Sequence, residues 1–243
     1  MSAATSQKTV WVVIPARHAS TRFPGKMLAD IKGKPLIRRV WEAVGAARSV
    51  SRILIATDHE DIFNAARGFG AEVLMTSPEL SSGTDRVAAV TAGCGADWIV
   101  NVQGDEPMMR GEILDQFIGA LGDFPMATLA RKITDPEDVL NPNVVKVVSD
   151  FAGKALYFSR SQIPYPREPG GAVEHWQHLG IYAYRPEVLQ KLVKLPPSPL
   201  EQAEKLEQLR ALQNGIAIQV LPTNLESIGV DTPEDLKRVL RYF

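Results

Sequence analysis

Residues 17–26, RHASTRFPGK, place Arg17, Arg22 and Lys26 within ten positions, with the hydroxyls of Ser20 and Thr21 among them. Arginine presents a fork of donors that matches phosphate oxygens, and lysine adds a compact charge. Gly25 lets the backbone approach an anion closely, although neither GxGxxG nor GxxxxGK[ST] occurs in the stretch. Two acids complement these cations: Asp105 in QGDEP (103–107) and Asp231, directly after ESIGV (226–230). Oxygen donors from two separate segments suit Mg²⁺, a hard cation that keeps waters and leans on substrate phosphates. Each feature alone also fits a solvated turn or a helix start. Together they fit metal-assisted chemistry at a phosphate.

All three stretches follow runs with the look of strands: TVWVVI (9–14), DWIVNV (97–102) and ESIGV. In open α/β sheets the ligand crevice lies outside the carboxyl ends of the strands. RILIAT (52–57) and AEVLM (71–75) add two more short apolar runs, the pattern of strands buried on both faces. KPLIRRVWEAVGAARS (34–49) and DHEDIFNAARGFG (58–70) carry helical periodicity between them. This βαβ alternation predicts an α/β fold, a Rossmann-like doubly wound layer with a mostly parallel sheet. Residues 126–185 change character: MATLARKI, NVVKVVSD, KALYFS and HLGIYAYR read as strands joined by turns. They predict an antiparallel extension or a small subdomain. The Pro- and Gly-rich loop 163–176 is long enough for a flap or a subunit contact. SPLEQAEKLEQLRALQNG (198–215) reads as one helix capped by Ser198, and Thr232 with Pro233 opens the last helix. The expected organisation is a disordered tail over 1–8, then a single domain over 9–243, within which 126–185 is strand-rich.

With 243 residues, 45% of them apolar, the chain can bury a full core without staples. A net charge of −1 argues against a nucleic-acid binder, so any anion site must be local. The single cysteine, Cys94, forms no internal disulfide and fits a reducing, cytoplasmic setting. No run is long enough to span a membrane, and MSAATSQKT lacks the order of a signal peptide.

IPARHASTRFPGKMLADIKGKPLI resembles the opening of the sugar-acid cytidylyltransferases. TDHEDI, SSGTDR, NVQGDEPMM, NPNVVKVV, LYFSRSQIP, HLGIYAYR, SPLEQAEKLEQLR and GVDTPEDL continue the resemblance, and they resemble the branch that uses 3-deoxy-manno-octulosonate (Kdo). The resemblance runs over about residues 9–240. It implies a transfer of CMP from CTP to Kdo with release of pyrophosphate, dependent on Mg²⁺, in lipopolysaccharide synthesis. It further implies that Arg17, Ser20, Arg22, Lys26, Ser82, Gly83 and Arg86 bind CTP, and that Asp105 and Asp231 hold the metal. Arg17, Lys26, Asp105 and Asp231 would carry the reaction. Gln103, Arg160, His178, Tyr182, Tyr184, Glu207 and Gln208 would face the sugar. A homodimer is implied, with 126–185 serving sugar binding and dimerisation. The alternatives are the 8-amino analogue of Kdo as acceptor, a neuraminate enzyme, or a non-catalytic nucleotide-binding regulator. From the residues alone, His178 reads first as a structural histidine, at least one of the two tyrosines also fits the core, and Asp85 with Arg86 is equally a helix-start pair. His18 stands where the family often has tyrosine.

Overall fold

Val10–Ala16 forms β1, whose side chains alternate between two apolar layers with almost no exposure. The computed structural model describes residues 8–18, 22–168 and 173–243. After β1 the chain makes a 3₁₀ turn (Lys26–Leu28), a small ribbon of β2 (Asp30–Ile31) and β3 (Lys34–Pro35), and then α1 (Leu36–Gly45). β4 (Arg52–Thr57), α2 (Glu60–Gly68), β5 (Val73–Met75), α3 (Gly83–Val90), β6 (Trp98–Asn101) and α4 (Gly111–Gly119) complete the first half. His59 caps α2 by accepting from the Asp61 amide, and Ser82 caps α3 in a reciprocal box with Asp85. The second half contains β7 (Met126–Lys132), α5 (Pro136–Leu140), β8 (Lys146–Ser149), β9 (Ala155–Ser159) and β10 (Trp176–Tyr184). It ends with α6 (Pro186–Leu192), α7 (Pro199–Glu204), α8 (Gln208–Gln213), β11 (Ile218–Pro222) and α9 (Pro233–Val239).

Nine strands make one sheet, ordered β11-β7-β10-β6-β1-β4-β5, with β8 on β10 and β9 on β8. β1, β4, β5 and β6 pair in parallel, as do β7 and β11, whereas β10 runs antiparallel to β6, β7 and β8. The antiparallel part is therefore an extension of the main sheet. Helices cover both faces: α1, α2 and α4 bury Ile37, Val40, Ile62, Ile113 and Phe117 on one side. On the other, α3, α6 and α8 bury Val87, Leu189 and Leu209. Among the described residues no helix is long and apolar enough to cross a membrane.

Two expectations need correction. The run 226–230 is irregular, not a strand. Its backbone joins the frame through Val230 N donating to Asp105 O at 2.8 Å, while Val230 is buried with Ile31, Leu36 and Val239. The strand of this region is β11, upstream, where Ile218 is fully buried against β7. The helix expected over 198–215 is two helices, because Lys205 takes a left-handed conformation (φ 55°) and Leu206 turns into the core. Of the expected tail, residues 1–7 lie outside the described residues, and Lys8 donates to the Leu121 carbonyl at 2.6 Å.

Candidate active site

The 3₁₀ turn after β1 begins with Gly25 at φ 69°, a left-handed position that glycine takes without a Cβ penalty. That reversal turns Lys26 inward, so its side chain is buried while Arg17 and Arg22 stay exposed. The Lys26 ammonium donates to Asp105 Oδ2 at 2.6 Å, Asp231 Oδ1 at 2.9 Å and the Val230 carbonyl at 3.0 Å. Arg22 reaches the second oxygen of Asp231, also at 2.9 Å. Burial pulls the Lys26 pKa down, but Asp105 and Asp231 outweigh it and the net shift is upward. Burial acts to raise Asp231, and Lys26 with Arg22 overcomes it, holding this carboxyl below its ordinary value. The ammonium therefore remains charged between two segments far apart in sequence.

Gly104, directly before Asp105, lies where a Cβ would come within 2.9 Å of the Pro15 carbonyl and 3.0 Å of Met27 Sδ. Its lack of a side chain lets the end of β6 pass against the end of β1. Around these groups is a cavity of about 380 Å³, lined by Arg17, Arg22, Lys26, Gln103, Asp105 and Asp231, together with Gly83. Arg17 is steadied by the Ser81 carbonyl, 2.9 Å away, which links the cationic loop to the start of α3. A second cavity of about 330 Å³ shares Asp231 and includes Glu106, Arg131, His178, Ser227 and Arg238. Glu106 is hydrogen-bonded by the Ser227 hydroxyl, and burial, followed by the nearby Asp105 charge, pushes its pKa up to about 7.

The remaining expected residues fall into distinct settings. Ser20 lies outside the described residues. Ser82 and Gly83 form the capped start of α3, and Asp85 closes the cap. Arg86 is almost fully buried and does not line the first cavity; it binds Asp58 at 2.6 Å, Thr76 at 2.6 Å and the Ser77 carbonyl at 3.1 Å. Asp58 also accepts from the His18 amide at 3.0 Å, and the His18 ring stacks on His59 with centroids 3.7 Å apart. In this arrangement Arg86 braces the cationic loop from beneath.

Arg160 is fixed by Glu204, whose carboxylate takes its amide and whose carbonyl takes Nε at 2.7 Å, and by the Pro142 carbonyl at 2.9 Å. Lys146, fully buried, caps the Arg160 carbonyl at 2.6 Å. His178 packs between Phe158 and Tyr182, with Nε2 3.1 Å from Thr128 Oγ1. Thr128 Oγ1 also lies within donating distance of the Leu179 and Ile181 carbonyls at the β10 bulge, so the ring proton belongs on Nε2. Burial lowers the His178 pKa to about 3. Tyr182 and Tyr184 share a face of β10, and burial drives both hydroxyls well above their ordinary pKa. Glu207 is raised by burial, against hydrogen bonds from Thr84 and Ser82 that lower it, while Gln208 is buried beside it. Glu207 thus ties α8 to the start of α3.

Asn101, Glu106 and Asp58 escaped the sequence reading. Asn101 had a visible signal, a carboxamide in the otherwise apolar run DWIVNV. Glu106 and Asp58 differ from other surface acids only through partners distant in sequence.

The arrangement gathers cations and two carboxylates at the ends of β1 and β6, a setting for a polyphosphate. Residues 11–220 match the sequence profile of the cytidylyltransferase family. A 3-deoxy-manno-octulosonate cytidylyltransferase of Geobacter sulfurreducens is 50% identical over 95% of this chain and 98% of its own. One from Solibacter usitatus is 49% identical over 95% of this chain and 93% of its own. The solved CMP:2-keto-3-deoxy-manno-octonic acid synthetase complexed with CTP superposes with a TM-score of 0.91 at 41% identity, covering 96% of this chain and 98% of that one. A 4-diphosphocytidyl-2C-methyl-D-erythritol synthase from Anaerococcus prevotii, 12% identical with a TM-score of 0.66 over 98% of this chain and 99% of its own, shares the fold. With a profile match over most of its length and near-full-length relatives at about half identity, the chain belongs to the cytidylyltransferase family.

Proposed function

We infer that the protein transfers CMP from CTP to Kdo, giving CMP-Kdo and pyrophosphate. The observation that carries this reading is the buried Lys26 held between Asp105 and Asp231 at the floor of a cationic cavity, in a chain half identical to Kdo cytidylyltransferases. The anomeric hydroxyl of the sugar attacks the α-phosphorus, a new O–P bond forms, and the bond to the β-phosphate oxygen breaks as pyrophosphate leaves. Arg17, Arg22 and Lys26 bind the triphosphate and offset charge on the departing oxygens. Positioning of both substrates supplies much of the remaining acceleration.

Two carboxylates that already converge on one cation fit the donor set Mg²⁺ prefers, one or two acids with the rest from water and phosphate. Asp105 and Asp231 would hold it. Bound there, Mg²⁺ supplies charge neutralisation on phosphate oxygens and acidifies a coordinated hydroxyl. Lys26 keeps the two acids together and presents its charge to the cavity where the triphosphate would lie. The residues toward β10 and α8, from Gln103 and His178 to Gln208, form the acceptor side.

Pyrophosphate release with CTP and Mg²⁺, measured in turn with Kdo, its 8-amino analogue and neuraminate, tests the reaction. Kdo is expected to be the preferred acceptor, and no release with any of them would sink the reading. Asp105→Asn and Asp231→Asn should each lower turnover by about 10²-fold or more while the circular dichroism spectrum is kept.

The assembly we propose is a homodimer working in the cytoplasm. Leu140, Phe151, Leu156 and Tyr165, all large, apolar and exposed, belong to the strand-rich part. Sedimentation is expected to give twice the 26.6 kDa chain mass, and a monomer at micromolar concentration would refute the proposal.

A further inference from the structure

The ladder between β1 and β4 ends at the pair Ala16 and Thr57. Beyond it the two chains stay together through side chains. Asp58 Oδ1 accepts from the His18 amide at 3.0 Å, and the His18 ring stacks on His59, the cap of α2. Asp58 Oδ2 accepts from Arg86 Nη2 at 2.6 Å, in a pair whose side chains are 10% and 1% exposed. Arg86 Nη1 donates to Thr76 Oγ1 and to the Ser77 carbonyl. Thr76 donates in turn to the Thr57 carbonyl, from its hydroxyl at 2.9 Å and its amide at 2.8 Å. Neither Asp58 nor Arg86 lines the first cavity, whereas Arg17 does.

A carboxylate with one oxygen on a buried guanidinium offers its other oxygen as a fixed acceptor. The His18 amide finds there the partner that β4 no longer supplies. Arg17 is thus fastened on both sides, its backbone through the next residue and its guanidinium through the Ser81 carbonyl at 2.9 Å. With Asp58 engaged by Arg86 and an amide, the charge of Arg17 stays directed to the cavity. Ordering a cation before its anion arrives removes that entropy cost from binding. We propose that Asp58 is a positioning residue that, anchored by Arg86, holds the His18 amide and so sets Arg17 in place for a polyphosphate. The inference rests on the cationic loop being the triphosphate site, as proposed above.

Two double variants isolate this acceptor: Asp58→Asn/Arg86→Met and Asp58→Leu/Arg86→Met. Both lack the buried charge pair, and asparagine and leucine are close in shape, but only asparagine accepts from the His18 amide. In calorimetry without sugar, the leucine variant should bind CTP and inorganic tripolyphosphate about tenfold more weakly than the asparagine variant. Cytidine, which lacks phosphate, should bind both within about twofold by NMR titration. Equal affinities of the two variants for tripolyphosphate, or a matching loss for cytidine, would overturn the proposal. If the leucine variant does not fold, hydrogen exchange in the wild type decides. The His18 amide should already exchange slowly before CTP is added, and free exchange that slows only with CTP refutes the prior positioning. A wild type that binds neither CTP nor tripolyphosphate overturns the reading of the cationic loop as well. Tight binding by the wild type with indistinguishable variants overturns the role of Asp58 alone.

Discussion

Buried ionisable side chains do two different jobs on the two sides of this site. Lys26 stays charged because two carboxylates and a carbonyl surround it, so removing either acid leaves a buried cation under-compensated. His178 stays neutral because burial alone lowers its pKa to about 3. In the unfolded chain this ring titrates near its ordinary value of 6.5. Above that pH neither state protonates it. As the pH falls below it, the unfolded state gains a proton that the folded state refuses, so stability is lost progressively from about pH 6.5 downward. At pH 5 the loss amounts to roughly 2 kcal/mol. Urea unfolding of the wild type and His178→Gln between pH 7 and pH 5 should show the variant losing less stability over that interval. Parallel profiles would show that His178 takes up its proton without unfolding.

Breaks in secondary structure matter as much here as the elements themselves. The α7–α8 break at Lys205 lets Glu204 end one helix, where it receives Ser159 and the Arg160 amide, and lets Glu207 and Gln208 begin the next. A continuous helix would place Glu204 and Gln208 on one face and lose this division of labour. Lys205 pays for the break with its positive φ. Lys205→Gly should therefore stabilise the protein by about 0.5–1 kcal/mol. A rise in the urea midpoint at unchanged slope would register the gain, and a fall would show that the lysine side chain holds the turn. Helical periodicity over 198–215 gave no sign of this break, because Leu206 fits an uninterrupted apolar stripe equally well. The same limit hid the irregular course of 226–230, where Val and Ile satisfy a strand pattern but pack under α9. By contrast, β1, β4 and β6 were legible from unbroken apolar runs, and with them the placement of Arg17, Lys26 and Asp105 after strand ends. Asp231 meets Lys26 beside Asp105, and a loop rather than a strand delivers it. The setting of Arg86 was not legible, since only Asp58, Thr76 and Ser77 reveal that it faces inward.

At the scale of the whole molecule, the first cavity draws on both halves of the chain. The segments after β1 and β6 and the start of α3 supply Arg17, Arg22, Lys26, Gln103, Asp105 and Gly83, and the 226–231 segment supplies Asp231. The sheet, the Lys26 and Arg22 contacts to Asp231, the Val230–Asp105 backbone hydrogen bond and the Ser227–Glu106 pair tie the two halves together. The central place of β10 has a further consequence for a chain made from its N-terminus. β6 pairs with β1 on one side and with β10 on the other, and β7 reaches the sheet only through β10. Until residue 184 has been synthesised, the outer edge of β6 therefore offers apolar, unpaired backbone to any other strand. A chain stopped at residue 175 should aggregate, as seen by light scattering, while one stopped at residue 222 should not. The newborn protein thus passes through a sticky interval of some eighty residues, from 101 to 184, in which a chaperone has something to hold.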